Sequence, residues 1–538
     1  MRHDEAVPFP LTARTDDDTV APTLSDPVAR AASASFGGPL GRYARTRRSW
    51  WTPLRVVLAV ATIMVGLGIV QKSECVAESW GENASPFSFS HLCYSDIQYL
   101  YVGRGLAEGI FPYTPLDTLP EVKQPLNLDE AHGLTVEYPV LTGLWMGVAG
   151  VITHAIGRSP DVSDEPHSAV GANPDVQYDS AIFWGVNAIA FLLCLLLALG
   201  LLVRAQPRRQ WDAMLIAGAP ALPLAAMINW DLLAIAFVGA TIWAWATGRP
   251  VLTGVFIGVG AATKLYPLFF LGPLLVLCLR ERRMVVWVQT FAAALVAWLA
   301  TNLPIYLYST DAYLWFWEFN SKRGPDFGSL WLVASNYGHP ATSDTINTTT
   351  WIVFGLSCVA IGLLGLLAPR RPRLVQLMFL VVAAFLLVNK VYSPQYVLWL
   401  LPFAALARPR WRDMLIWQAC EIFYFFAVWM HIANFFVGSG QEDWVYALAV
   451  VVRMLGQLYL VVLVVRDILF PWHDPVRSDG LSDDPLGGIF DGGIDAEVHA
   501  RRFTPPAVRD DEPPRDQADS GYPYEDEESE TLSSRALR

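Results

Sequence analysis

The sequence is short of charge. Asp, Glu, Lys and Arg make up 16% of its 538 residues against 53% hydrophobic residues, a balance that excludes an ordinary soluble domain. Basic stripes with interleaved aromatics are missing outside the apolar runs, which speaks against a nucleic-acid partner. Cysteine is scarce, at six residues, too few for a disulfide scaffold. There is no Walker A motif, no dinucleotide-binding fingerprint and no usable His-Glu-X-X-His, so nucleotide hydrolysis and zinc proteolysis lack support. No internal repeat is evident, which weakens a transporter built from two similar halves.

What the chain has in abundance is long apolar runs between polar ends. The net charge of −12 arises largely at those ends, in Asp16-Asp17-Asp18, Asp510-Asp511-Glu512 and Glu525 to Glu528. Residues 1–52 read as a disordered cytoplasmic tail, and residues 467–538, rich in Pro, Gly and acid, as a second one. The aromatics of that second tail, Tyr522 and Tyr524, could dock a cytosolic partner. Arg42, Arg45, Arg47 and Arg48 precede the first apolar run, residues 54–70, and hold its start on the cytoplasmic side. Further basic clusters, at 204–209, Arg249, 280–283, 370–373, 408–412 and Arg466, mark the other cytoplasmic turns.

The chain must leave and return between neighbouring clusters. This predicts an all-α polytopic membrane protein of about twelve crossings over residues 53–466, with both termini cytoplasmic, in the plasma membrane. One crossing is expected near residues 211–229. Large outer loops fall at 72–138 and 306–349. Residues 139–156 are apolar, yet parity places both flanks outside, so they are expected to form a re-entrant or interfacial helix.

Polar residues gather at the outer turns. The first outer loop holds Cys75 and Cys93, which an extracytoplasmic compartment permits to pair. It also holds Tyr94-Ser95-Asp96, Tyr113 and Glu137. Asp96 is a candidate general base, with an N-cap as the plainer alternative, and Glu137 is the second candidate, with an ion pair to a loop cation as its alternative. Lys264, Lys390 and Arg323 are candidate phosphate ligands, because a cation at membrane depth is costly without a task. Snorkelling or a solvated loop would also account for them. Asn229 and Asp231, flanking Trp230, could bind a sugar or cap the next helix. Tyr266, Tyr392 and Gln395 complete the candidate substrate-binding set. Trp315 to Trp317 read as an interfacial aromatic belt or a sugar platform, and Glu421 with Arg453 as an internal ion pair.

In order, the motifs are an acidic residue in the first outer loop, GIFPY at 109–113, EYP at 137–139, NWD at 229–231, GVGAATKLYP at 258–267, an Arg-Gly outer loop and NKVYSPQY at 389–396. That series resembles the GT-C superfamily, and more narrowly glycosyltransferase family 87 of actinobacteria. The resemblance implies a GT-C-like bundle. It further implies transfer of mannose or arabinofuranose, with inversion, from a polyprenyl-phosphate donor to a cell-envelope glycolipid or polysaccharide on the extracytoplasmic side. No Asp-X-Asp follows Asp96, a departure that leaves no evident metal site and the role of a divalent cation open. A flippase of a lipid-linked precursor and a non-catalytic assembly scaffold are the competing readings.

Overall fold

The computed structural model describes residues 20, 22, 26–35, 50–76, 86–115, 118, 134–436, 443–478 and 483–490. Among the described residues the regular elements are all helical. We number the principal helices α1 (Pro53–Val76), α2 (Asp96–Gly103), α3 (Val140–Ile156), α4 (Pro174–Ala205), α5 (Asp231–Ala246), α6 (Pro250–Thr263) and α7 (Leu271–Arg280). The second half of the chain adds α8 (Met284–Tyr308), α9 (Thr310–Lys322), α10 (Ser343–Leu367), α11 (Leu374–Val388), α12 (Val397–Ala407), α13 (Trp411–Ile432) and α14 (Trp444–Leu469). Helices α1, α4, α8, α10, α13 and α14 are each long and apolar enough to cross a membrane. The protein is therefore an all-α polytopic membrane protein, as its composition predicts.

The remaining apolar helices are short for a reason that bears on function. Helix α6 has 14 residues, about 21 Å of axial rise against a hydrocarbon core of about 30 Å. It stops at Lys264, just as α11 stops at Asn389 and α5 starts at Asp231. Each of these helices has its other end among the arginines and stops short of a full crossing, leaving room for a polar cavity at the opposite end. The span expected near 211–229 is instead a broken path, with a 3-10 segment Pro207–Ala213 and helical turns Met214–Ala217 and Ala221–Ala225. Pro220 and Pro223 interrupt it, since proline lacks the amide a continuous helix needs. Gly68 of α1 packs directly on the Pro223 carbonyl, where any Cβ would collide.

Helix α3 does not lead back toward the arginines. Trp145 Nε1 donates to Asn187 Oδ1 of α4 (2.8 Å), and beyond its far end the amides of Arg158 and Ser159 donate to Asp179 (2.7 and 2.9 Å). Asn187 lies about 26 Å along α4 from Arg204, and Asp179 about 38 Å. Helix α3 thus runs antiparallel to the first half of α4 and away from the arginine end, with both flanks on the cavity side.

The basic clusters of the sequence knit the opposite end together. Arg408 pairs with Asp413 (2.6 Å) and Asp467 (2.5 Å), Arg373 with Asp474 (2.9 Å) and Arg371 with Glu281 (3.2 Å), while Arg280 donates to the carbonyls of Gly365 and Ala368 (2.8 Å each). This corrects the tail expected from residue 467. Helix α14 continues to Leu469, Asp474 is fully buried, and Phe490 packs edge-on against Trp245 at 5.3 Å. Near the other terminus, Asp26 accepts from the Trp411 amide (3.0 Å) ahead of a helix at Pro27–Ser35. The expectations for residues 1–19, 36–49 and 491–538, the docking tyrosines included, lie outside the described residues.

Candidate active site

A cavity of about 700 Å³ opens at the end remote from the arginines. Asp96, Glu137, Asn229, Lys264, Tyr266, Arg323, Lys390 and Gln395 all line it, so residues scattered over some 300 positions of sequence face one space. Its walls are aromatic on two sides, with Phe89, Tyr94 and Trp429 on one and Phe269, Phe354 and Phe385 on another.

Covalent and hydrogen-bond constraints place Asp96. Cys75 at the end of α1 is disulfide-bonded to Cys93, and the buried ammonium of Lys72 donates to the Tyr94 carbonyl (3.0 Å). Ser95 Oγ donates to the Met227 carbonyl (2.7 Å), and the Asp96 amide to that of Ile228 (2.8 Å), which pins the loop to the turn before α5. Ser95, and not Asp96, caps α2, accepting from the Ile97 amide. The carboxylate of Asp96 is therefore released toward the cavity. There Oδ1 accepts from the Tyr94 hydroxyl (2.7 Å) and Oδ2 from Asn229 Nδ2 (2.6 Å). Burial raises the Asp96 pKa above the usual carboxylate value, and the nearby Glu137 charge adds to this. The bonds from Tyr94 and Asn229 and the charge of Lys264 oppose the rise without cancelling it.

Glu137 is differently situated. Arg104 grips it with two bonds, Nε to Oε2 (2.7 Å) and Nη2 to Oε1 (2.9 Å). Burial alone would raise its pKa, but the guanidinium outweighs burial and holds the carboxyl below its ordinary value. It is thus the ion-paired carboxylate, and a poor base compared with Asp96.

The cations divide into two kinds. Lys264 Nζ lies 3.2 Å from Asn229 Oδ1 and 3.5 Å from Asp231 Oδ1, and 4.8 Å from the centre of the Tyr138 ring. Asp231 is fully buried below the cavity surface, accepting also from Trp399 Nε1 (2.6 Å), and it makes no side-chain cap on α5. Lys390, by contrast, bonds to neutral oxygens, the Ser321 carbonyl (3.2 Å) and Asn347 Oδ1 (2.7 Å). Burial, with the charge of Arg323 nearby, lowers the Lys390 pKa. Arg323 is paired with Asp326, whose amide donates to the Lys390 carbonyl (2.8 Å).

Besides Asp231, two predicted binding residues are not at the cavity surface. The Tyr113 hydroxyl is buried and donates to the Val140 carbonyl (3.3 Å). Tyr392 points into the α13–α14 packing and donates to Gln457 Oε1 (2.6 Å). Sequence reading overlooked Asn347, Tyr396 and Trp399. The last two stack at 4.1 Å, and Tyr266 also stacks on Trp399 at 4.6 Å. The NKVYSPQY run pointed toward Tyr396, whereas nothing local distinguishes Asn347. Phe316 and Trp317 line the cavity edge, so part of the expected aromatic belt faces the site.

A bundle of short and long apolar helices closing on a cavity that carries a carboxylate, cations and stacked aromatics has the make-up of a membrane-embedded enzyme. Residues 174–389, about two fifths of the chain, match the model of Glycosyltransferase family 87, so over that stretch the chain is similar to that family of glycosyltransferases. The matched segment holds the lining residues Asn229, Lys264, Tyr266 and Arg323 and the buried Asp231 beneath them, while Asp96, Glu137, Lys390 and Gln395 reach the same cavity from outside it. No curated protein matches the chain.

Proposed function

We propose that the cavity transfers a sugar from a polyprenyl-phosphate donor to a hydroxyl of a cell-envelope glycolipid or polysaccharide. The observation that carries this reading is one cavity in which a carboxylate of raised pKa faces the cations Lys390 and Arg323 between aromatic walls. The arginine end fits the cytoplasmic side, which would put both termini in the cytoplasm of a plasma-membrane protein and the cavity at the outer headgroup level. There the anomeric carbon and phosphate of a lipid-linked sugar would sit.

In the proposed reaction the acceptor oxygen attacks the anomeric carbon as its proton passes to Asp96. The bond from that carbon to the phosphate oxygen breaks, and polyprenyl phosphate leaves with the electron pair. Attack from the face opposite the phosphate inverts the anomeric centre, as in other inverting sugar displacements. Lys390 and Arg323 would hold the phosphate as its charge grows. Lys390 suits this best, because its present partners are uncharged.

The test is to incubate purified protein with radiolabelled polyprenyl-phosphate mannose and polyprenyl-phosphate arabinose in parallel, with membrane glycolipid acceptors. Transfer from one supports the proposal, and transfer from neither sinks it. With the active donor, Lys390→Ala should raise the donor KM about tenfold to a hundredfold, the worth of one charge-assisted bond. An unchanged donor KM in Lys390→Ala would remove Lys390 from the phosphate site.

A further inference from the structure

Lys264 is linked to the proposed base through Asn229, yet its surroundings suit no phosphate. It is only 7% exposed, and the buried carboxylate of Asp231 already stands 3.5 Å from its ammonium. An incoming anion would meet that carboxylate as well. What Lys264 does touch is the carboxamide of Asn229.

That carboxamide has four partners that together allow one orientation. Its oxygen accepts from Lys264 Nζ (3.2 Å) and from the Trp230 amide (2.6 Å), and its nitrogen donates to Asp96 Oδ2 (2.6 Å) and to the Tyr138 hydroxyl (2.8 Å). Turned over, the amide would set an NH2 against an ammonium and a peptide N–H, and a carbonyl oxygen against a carboxylate. Trp399 completes the chain from below, fixing Asp231 through a 2.6 Å bond, so that Asp231 holds Lys264 and Lys264 holds Asn229.

We infer that Lys264 is a positioning residue, which locks the Asn229 carboxamide so that it donates to Asp96 and aims that carboxylate into the cavity, and that it does not bind the donor phosphate. The inference rests on the proposed role of Asp96 as base. The titratable groups that face Asp96 are Tyr94, Tyr138, Tyr396, Glu137, Lys72 and Lys264 itself. Of these, the Lys264 charge lowers the pKa of Asp96, as does the bond from Asn229. Removing Lys264 weakens both effects, so the acid limb of activity should move to higher pH.

The test compares Lys264→Met, Asn229→Ala and their double variant in the transfer assay, with Lys264→Arg as the conservative control. Lys264→Met and Asn229→Ala should each lower kcat about tenfold to a hundredfold, part of the roughly 10² to 10⁴ that a general base contributes. Each should leave the donor KM within about twofold and shift the acid limb of the pH profile upward, as expected when only transition-state interactions are lost. Lys264→Met on the Asn229→Ala background should lower the plateau kcat no further, since both position Asp96 through one carboxamide, while loss of the Lys264 charge moves the acid limb further upward. Lys264→Arg should restore most of kcat and the original limb. Should Lys264→Met not fold because Asp231 is left unpaired, the Lys264→Met/Asp231→Asn pair, which removes both charges, should show the same kinetic signature. A donor KM raised more than tenfold with the acid limb in place would assign Lys264 to the phosphate and overturn the inference alone. Additive losses of plateau kcat in the double variant would also overturn it. Wild-type protein inactive with every polyprenyl-phosphate donor would overturn the transfer reading and this inference with it.

Discussion

Asp96→Asn is expected to abolish measurable sugar transfer, lowering kcat by about 10² to 10⁴, the usual contribution of a general base, while the protein still folds and inserts. The side chain is held by one donor on each oxygen, Tyr94 and Asn229. An asparagine can keep both contacts, directing its oxygen toward Asn229 and its NH2 toward the Tyr94 hydroxyl, which can accept. The cap of α2 is untouched because Ser95 supplies it. What the variant loses is the negative charge and with it the capacity to take up the proton. The wild-type pH profile should carry the same signature. The base works deprotonated, so activity is lost as pH falls through the pKa of Asp96. Because burial raises that pKa, the acid limb should lie above the ordinary aspartate value and vanish in any residual activity of Asp96→Asn. Glu137→Gln makes the contrast, since Glu137 is committed to Arg104 and its pKa is lowered. It should cost less in kcat and keep an acid limb, moved toward lower pH because the Glu137 charge that helps raise the Asp96 pKa is gone. Full activity in Asp96→Asn, measured with the same donor and acceptor, would move the base elsewhere.

The cavity was legible in the sequence because hydropathy breaks where polar groups are needed. Asp96, Asn229, Lys264, Arg323 and Lys390 each interrupt or flank an apolar run, and all five line one space. The expected helical bundle follows from the same pattern, as does the turned-back course of α3, which parity of the basic clusters required. What the sequence did not reveal is pairing. Lys264 and Lys390 look alike in one dimension, each between apolar neighbours, and only the packing of α5 against α6 shows that the first is matched to Asp231. Tyr113 and Tyr392 lie in motifs beside the cavity, but their rings turn inward to bond a carbonyl and a glutamine. The continuous span near 211–229 failed for a reason that was visible, the two prolines, whose cost outweighs the favourable hydropathy of that stretch. The residues after 467 looked polar enough for a tail, yet Arg371, Arg373 and Arg477 offer buried partners for their acids.

Glu421→Ala is expected to be the most destabilising single change in the bundle, by about 3–5 kcal/mol, because it strands a buried guanidinium. Arg453 is 0% exposed in the middle of α14, and its Nε lies 2.8 Å from Glu421 Oε2 on α13. The same guanidinium donates to the backbone carbonyl of Tyr392 and to that of Ser393 (3.2 Å), and it lies over the rings of Tyr392 and Tyr424 at 3.4 and 4.2 Å. Arg453 therefore does more than neutralise Glu421. It holds the turn from Asn389 to Gln395, which carries Lys390 into the cavity. Two variants separate these effects by thermal unfolding in detergent and by donor KM. Glu421→Ala should unfold well below the wild type. The Glu421→Gln/Arg453→Met pair removes both charges and should recover much of that stability, since replacing both members of a buried pair is far milder than removing one. It cannot restore the bonds to the Tyr392 and Ser393 carbonyls, so its donor KM should stay raised. A recovered fold with wild-type donor KM would show that Lys390 is positioned without Arg453, and an unfolding midpoint unchanged in Glu421→Ala would show that the pair carries no stability. With recovered stability and a raised donor KM, the ion pair between α13 and α14 is the structural root of the proposed phosphate site. The costly burial of two charges would then be explained by the turn they hold in place.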